Sequence, residues 1–307
     1  MEWLFALALF WGDVEHASTQ YYAVEMERQA IVQAEEERLA RIAEHEAALF
    51  PDPDKAEQAL SAQWIVFPRE AYQGDALMVR ADREQTVEWN GVQYELLPFQ
   101  TGYYAVLPIP ANMKPGEYEI GGAAVTILQK SFSTQYLEVT EQQEAMRRNT
   151  ERIAADQQLV NEARSRSEPS FLFEGPFIKP VEGRLSTPYG FTRYINGNYS
   201  GRHMAIDLAA PEGTPIKATA AGVVALSQEL YLTGNSIYID HGMGLFSQYA
   251  HLSELQVEVG DYVEAGQVIG LVGSTGFSTG PHLHFTFWLH NVQAIPDLFF
   301  DSTPFHW

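Results

Sequence analysis

Two short segments near the C-terminal end of the chain carry histidine and aspartate at alternating positions. In an extended strand, residues 203, 205 and 207 point to one side, so His203 and Asp207 would share a face with only the small Ala205 between them. His282 and His284 share a face in the same way. Neighbouring imidazoles repel when protonated and cost free energy when desolvated, and a divalent cation would offset that cost. The pattern therefore indicates metal binding, although a buried His–Asp hydrogen bond and an incidental surface pair are the ordinary alternatives.

A further histidine and a glycine-rich segment lie close to these residues in sequence. His251 follows a strand-and-turn pattern, where a single histidine is more often structural than functional. Residues 270–281 read GLVGSTGFSTGP, and their glycines permit a close approach of the backbone to a groove directly before His282. The segment lacks the lysine and the strand-to-helix context of a nucleotide-binding loop. The remaining histidines of this part are interpreted as ordinary turn or surface residues: His241, His290 and His306.

The elements that must position these side chains lie in a Gly-rich, β-branched region from residue 171 onward. Before it, residues 62–139 alternate in short apolar runs separated by turn signals, and Asn90-Gly91 is typical of a tight hairpin. These features predict a small β-sandwich. Residues 18–49 and 140–166 lack Gly and Pro and predict two long helices.

The two predicted helices each carry a narrow apolar stripe. The stripes consist of Val32, Leu39, Ile42 and Leu49 on one helix, and Val139, Met146, Ile153 and Val160 on the other. Such stripes suit a two-helix seam, so we expect an antiparallel arm outside the C-terminal domain. The expected organisation is a signal or anchor segment at 1–17, a helical arm at 18–61, the sandwich at 62–139, a helical linker at 140–170 and the C-terminal domain at 171–307.

Composition excludes several classes of function. The net charge of −21 argues against non-specific binding to nucleic acid or anionic lipid. The absence of cysteine excludes disulfides, thiolate metal sites and a cysteine nucleophile. The apolar run from Trp3 to Trp11 is too short to span a bilayer, and it resembles a signal-peptide core without the basic start or a good cleavage site. An exported segment with an atypical start and the start of a buried helix both fit this run.

Taken together, the motifs resemble the lysostaphin-type (LytM-like) peptidases over residues 171–298. The motifs in the order and spacing of that family are His203-x-x-x-Asp207, Tyr249-Ala-His251-Leu-Ser and Gly280-Pro-His282-Leu-His284-Phe. The stretches between them that also match the family are Gly213-Thr-Pro-Ile-Lys-Ala218, Ala221-Gly-Val-Val224, Val259-Gly-Asp-Tyr-Val263 and Gly266-Gln-Val-Ile-Gly270. Ala205, Thr286 and Ser247 depart from the usual family residues, which bears on substrate preference more than on activity.

The resemblance implies an α+β, mainly β protein whose C-terminal domain is an antiparallel β structure with a groove over a metal ion. It implies Zn²⁺ held by His203, Asp207 and His284, with His251 and His282 as catalytic residues. The implied activity is hydrolysis of amide bonds in peptidoglycan stem or cross-link peptides by a zinc-activated water. The implied location is the cell envelope, periplasmic or extracellular, where the N-terminal helices could bind an envelope protein.

Three other functions are compatible with parts of the pattern. A non-catalytic LytM-like module could bind the wall or activate its hydrolases, but such members usually lack ligands, and this chain has all of them. A carbohydrate phosphotransfer domain could use paired histidines, but Asp207 would repel phosphate. A zinc peptidase that acts on secreted proteins stays open. Tyr194 and Tyr199 precede the first ligand and could donate to an oxyanion, although surface aromatics are the simpler interpretation.

Overall fold

The structure is a computed structural model that describes residues 64–99, 102–173, 176–296 and 299–300. The described part is mainly β with two helices, which confirms the predicted α+β, mainly β class. The predicted segment 1–17 and the helix 18–49 lie outside the described residues. Within the described ranges, neither helix is long and apolar enough to cross a membrane.

Two sheets and a hairpin pack around one core in the first part of this region. Their strands are β1 Trp64–Phe67, β2 Glu70–Tyr72, β3 Ala76–Ala81, β4 Thr86–Trp89, β5 Val92–Glu95, β6 Leu97–Phe99, β7 Gly102–Pro108, β8 Gly116–Ile120 and β9 Ala123–Leu128. One sheet has the order β1-β3-β7-β6 and the other β2-β9-β8, while β4 and β5 pair as a hairpin. A single cluster of buried residues from Val66 to Ile127 joins them, as a small sandwich requires.

The hairpin turn follows the chemistry that its sequence indicates. Asn90 and Gly91 have φ of 49° and 76°, and Trp89 pairs with Val92 directly across the turn. A two-residue turn with both central residues at positive φ matches the twist of the flanking strands, and Asn-Gly adopts it at little cost.

A strand and two helices connect the sandwich to the C-terminal part. They are β10 Thr134–Leu137, α1 Glu141–Arg148 and α2 Thr150–Ala163. The region predicted as one helix over 140–166 therefore breaks at Asn149, which ends α1 and caps the start of α2 with its side chain. Strand β10 pairs in parallel with a strand of the C-terminal part, so this stretch of the predicted 62–139 segment belongs to another sheet.

The C-terminal part is built on one large sheet with smaller sheets at its margin. Its strands are β11 Arg184–Thr187, β12 Phe191–Ile195, β13 Asn198–His203, β14 Ile206–Ala209, β15 Pro215–Lys217, β16 Gly222–Leu230, β17 Gly234–Asp240, β18 Leu245–Leu252, β19 Glu254–Leu255, β20 Tyr262–Val263, β21 Val268–Leu271, β22 His282–Leu289 and β23 Val292–Ala294. The large sheet has the order β11-β14-β22-β18-β17-β16-β20, and β23 pairs with β22. Neighbouring strands of this sheet pair antiparallel, as the sequence resemblance implies.

Helix α2 lies on one face of this large sheet. Val160 is 6% exposed and packs against Leu226, Leu230 and Tyr238. The expectation that the stripe of α2 stands apart from the C-terminal domain as an arm is therefore wrong for this residue, because the sheet offers a wider apolar surface than a two-helix seam. The predicted pairing of the stripe with helix 18–49 lies outside the described residues.

Candidate active site

Three strands and one bend bring the candidate metal ligands together. Asp207 on β14 lies directly opposite His284 on β22 in the antiparallel register. His203 is the last residue of β13, and the chain bends at Ala205 before β14 begins at Ile206. The single strand expected over 203–207 is therefore two strands of different sheets. The bend, rather than alternation along a strand, brings His203 to Asp207.

The three side chains converge on one point. His203 Nε2 lies 3.0 Å and His284 Nδ1 2.9 Å from Asp207 Oδ1, and the two ring nitrogens are 3.1 Å apart. In a tetrahedral site with metal–nitrogen distances of about 2.0–2.1 Å, ligand atoms are about 3.3–3.4 Å apart. The three atoms therefore form one face of a coordination tetrahedron with only a small expansion.

Hydrogen bonds alone do not account for this triangle. If each imidazole donates a proton to Asp207 Oδ1, the two N–H groups of His203 and His284 face each other at 3.1 Å. If instead the nitrogen of either ring is unprotonated, its lone pair faces the lone pairs of Asp207 Oδ1, which is unfavourable. No set of neutral rings satisfies all three contacts, whereas a cation at the centre satisfies all three. Two imidazoles and one carboxylate thus fit a divalent metal ion.

Burial and the neighbouring charges favour the protonation states that a metal requires. Burial lowers the pKa of His203 to about 4, and the hydrogen bond to Asp207 only partly opposes this. Burial would raise the pKa of the Asp207 carboxyl, but hydrogen bonds from His203 and His284 hold it well below its usual range. Near neutral pH, His203 is neutral and Asp207 is a carboxylate, which are the forms that bind metals.

Two further histidines border the triangle, and each is oriented by a backbone carbonyl. His251 Nδ1 lies 2.7 Å from the Thr275 carbonyl oxygen, and His282 Nδ1 lies 2.8 Å from that of Gly280. A carbonyl can only accept, so each Nδ1 carries a proton, and in the neutral ring the lone pair is on Nε2. The His282 Nε2 is 3.8 Å from Asp207 Oδ1.

The glycine-rich segment supplies both orienting carbonyls. Gly276 lies inside it at φ 70°, and a Cβ there would come within 2.4 Å of the Gly234 amide nitrogen. Only glycine allows the segment to approach the sheet this closely. The close approach that these glycines permit is thus made to the backbone of the sheet at Gly234, and the same segment carries the carbonyls that contact His251 and His282.

His251 reaches the site through an unusual backbone conformation. Its neighbour Ala250 pairs with His284, so regular alternation would point His251 to the other face of the sheet. His251 instead has φ 65°, which turns its ring to within 4.8 Å of the His282 ring and 5.6 Å of the His284 ring, centre to centre. Burial, then the neighbouring histidines, lower the pKa of His251 to about 3. The ring is therefore neutral near pH 7.

An arginine that the sequence analysis did not single out contacts the cluster. Arg193 Nη2 lies 3.2 Å from Asp207 Oδ2, the carboxylate oxygen that does not face the two histidines. Arg193 Nε donates to Gln135 Oε1 at 3.0 Å, and Gln135 donates to the Thr187 hydroxyl at 3.3 Å. Strand β10, far away in sequence, thereby orients a candidate ligand. The contact between Arg193 and Gln135 depends on the pairing of β10 with β12, and no local sequence motif predicts it.

The other candidates of the sequence analysis have different surroundings. Tyr194 stacks on Tyr136 at 5.3 Å and meets Tyr199 edge-on at 5.8 Å, and Tyr199 is 66% exposed, which agrees with the surface interpretation. His241, interpreted as a turn or surface residue, is fully buried. His290 lies in a turn, and His306 is outside the described residues.

Comparison with known proteins assigns a family to this part of the molecule. Residues 201–296 match Peptidase family M23, and they include all five histidine and aspartate residues of the candidate site. This part of the chain belongs to Peptidase family M23.

Several relatives share this region. The chain is 44% identical over 109 residues to the DD-carboxypeptidase/endopeptidase Mpg of Neisseria meningitidis serogroup B, and 46% identical over 99 residues to lysostaphin of Staphylococcus simulans. These matches cover 35% and 32% of this chain, and 25% and 20% of the relatives' own length. A solved structure from Pseudomonas aeruginosa described as a peptidase M23 matches 76% of this chain and 95% of its own, with 27% identity and a TM-score of 0.58.

Proposed function

We propose that this protein is a zinc-dependent endopeptidase that hydrolyses amide bonds in peptidoglycan peptides. The observation that carries the proposal is the convergence of three metal-binding atoms beside two histidines that each keep a free Nε2 lone pair. Three protein ligands leave one coordination position open, which is typical of catalytic rather than structural zinc.

The three ligands would bind the metal ion, and the two neighbouring histidines would transfer protons. His203, Asp207 and His284 would hold Zn²⁺, which when bound activates water and polarises the scissile carbonyl. His282 is two residues from a ligand on the same strand, and its Nε2 can take the proton of the attacking water and pass it to the leaving amine. His251 can share this proton transfer or donate to the developing oxyanion once protonated.

The relatives support the wall as the source of the substrate. The names of three of them refer to peptidoglycan or to endopeptidase activity: the DD-carboxypeptidase/endopeptidase Mpg, the glycyl-glycine endopeptidase ALE-1 of Staphylococcus capitis, and the peptidoglycan DD-endopeptidase ShyC of Vibrio cholerae. A protein that acts on this polymer works in the cell envelope, periplasmic or extracellular. The net charge of −21 argues against a nucleic-acid partner.

Digestion of purified sacculi tests the proposal. The full chain with zinc should release peptide fragments from sacculi with direct or glycine-bridged cross-links, and mass spectrometry identifies the bond that is cut. New amino groups should appear without new reducing ends, because the described part of the M23 region places no pair of carboxylates at the site. Binding to sacculi without release of fragments would contradict the proposal and favour a non-catalytic wall-binding module.

A further inference from the structure

A cavity of about 220 Å³ lies between helix α2 and the face of the large sheet that carries the candidate metal site. Ile153, Asp156 and Gln157 line it from the helix. Gln248, His284 and Thr286 line it from β18 and β22. Because His284 is also a candidate ligand, the cavity adjoins the reaction centre. Its helix side comes from outside residues 201–296, so this wall is an addition to the M23 region.

The cavity has opposite electrostatic character at its two sides. Asp156 is the only aspartate, glutamate, lysine or arginine among the described lining residues. The arginines of α2 and its end do not line the cavity but stack on rings beside it: Arg152 lies 4.1 Å from the centre of the Tyr231 ring and Arg164 3.7 Å from that of Trp288, which is a lining residue. A negative group thus faces the cavity from the helix, while a bound metal ion would make the His284 side positive.

Asp156 is held in place as an acceptor. Its Oδ2 accepts a hydrogen bond from the backbone N–H of Tyr231, which fixes the carboxylate and leaves Oδ1 with acceptor capacity. The side chain is half-buried, so its attraction for a cation is less screened than at an open surface. An ammonium group would satisfy Asp156, whereas a carboxylate there would be repelled.

We propose that this cavity is a subsite for the side-chain amine of a diamino-acid residue next to the scissile amide, with Asp156 as the acceptor. The volume is below the range of about 300–1,000 Å³ typical of ligand pockets, so it suits one side chain rather than an extended peptide. The substrate carbonyl at the metal side and the amine at Asp156 match the polarity of the cavity. This inference rests on the proposed function, because it places the wall peptide across the metal site.

Two synthetic wall peptides test the subsite. They differ only in the side-chain amine next to the scissile bond, which is free in one and N-acetylated in the other. The zinc-loaded full chain should bind and cleave the free-amine peptide roughly tenfold better, as loss of a hydrogen bond to a charged group implies. Asp156→Asn should lose this preference, since it removes the charge but keeps an oxygen acceptor for the Tyr231 N–H. Glu162→Gln removes the same charge from an exposed position of α2 and should keep it.

Binding by calorimetry and turnover by chromatography separate the outcomes, with thermal unfolding as a check that both variants fold. Equal affinity of the wild-type chain for both peptides would overturn the subsite, as would a preference that survives in Asp156→Asn. If Asp156→Asn bound and cleaved both peptides better by the same factor, the subsite would also be overturned, and α2 would instead hinder access of the peptide to the metal site. Cleavage without preference refutes the subsite alone. An Asp156-dependent preference in binding without any cleavage refutes the proposed hydrolase function alone.

Discussion

The C-terminal sheet contains two groups of buried histidines that differ in how their polar atoms are satisfied. The ring of His241 uses both nitrogens in ordinary hydrogen bonds, with Nδ1 2.8 Å from the Ala221 carbonyl oxygen and Nε2 2.8 Å from the Ser247 hydroxyl. Ser247 contacts the Tyr249 hydroxyl at 3.0 Å, and that hydroxyl accepts from the Thr219 N–H at 2.8 Å. The network leaves no position for an ion.

In the triangle, His203 and Asp207 are buried and His284 is half-buried, and the three side chains have no such closed network. Burial lowers the pKa of His241 and of His203 alike, each to about 4. Neither burial nor a displaced pKa therefore separates a structural histidine from a functional one. What separates them is that two ring nitrogens and a carboxylate oxygen converge in the triangle, and no arrangement of protons satisfies all three contacts. This convergence favours a metal ion.

The largest effect should come from the two histidines beside the triangle, where metal binding and catalysis separate. His251→Ala and His282→Ala should keep zinc but lose about 10²-fold or more in rate, the usual loss when a general acid–base is removed. Peptide release from sacculi and elemental analysis measure the two properties. A metal-free His251 or His282 variant would place that residue among the ligands instead.

A smaller effect should follow from the arginine that orients Asp207. Arg193→Met removes the contact with Asp207 Oδ2 and leaves Gln135 without its donor. Loss of such a supporting contact typically weakens metal binding about 10- to 100-fold. Competition with a chelator gives the affinity, and Arg184→Met, at an exposed position of β11, serves as the control. Equal zinc affinity of both variants would show that Arg193 does not orient the ligand.

The smallest effect is on the pH dependence of stability and tests His241, the histidine whose polar atoms are satisfied by hydrogen bonds. The pKa of His241 is 6.5 as a free group and about 4 when folded, so the unfolded chain binds the proton first as the pH falls. The stability that neutral His241 contributes is complete above about pH 6.5 and is lost toward pH 4, with about 2 kcal/mol lost between about pH 7.5 and pH 5. His241→Asn cannot titrate. Between about pH 7.5 and pH 5, the free energy of unfolding should therefore fall by about 2 kcal/mol less in this variant than in the wild-type chain, as denaturant unfolding can measure.

The same slope in the wild-type chain and in His241→Asn would contradict the assignment of a buried, neutral imidazole. Comparison of two slopes, rather than of two absolute stabilities, removes the acid loss that both chains share through their other histidines.

Local sequence patterns were sufficient to predict part of the fold and some of the residues of the site. Asn90-Gly91 specifies its own turn through its tolerance of positive φ. The His282-x-His284 spacing, read as a strand, places both rings on one face, as β22 does. Alternation also singled out His203 and Asp207 as a possible metal-binding pair, and only the resemblance to a family joined them and His251 to His282 and His284 in one site.

Other features depend on contacts between residues that are distant in sequence. Alternation over residues 203–207 gave one strand, because nothing in the local pattern reveals the bend at Ala205. The φ of His251 is imposed by its surroundings, since a non-glycine residue avoids this region by itself. Arg193 and Gln135 acquire their role only when β10 pairs with β12, and Val160 meets its sheet only in the folded chain.

Zinc content is the most direct test of the central claim that convergence, rather than burial, makes a metal site. Protein purified without added metal should contain about one zinc per chain by elemental analysis, as three converging ligands imply. Replacement of His203, Asp207 and His284 by alanine together should abolish it, whereas His241→Asn should keep it. Stoichiometric zinc in the triple variant, or loss of zinc from His241→Asn alone, would contradict the account.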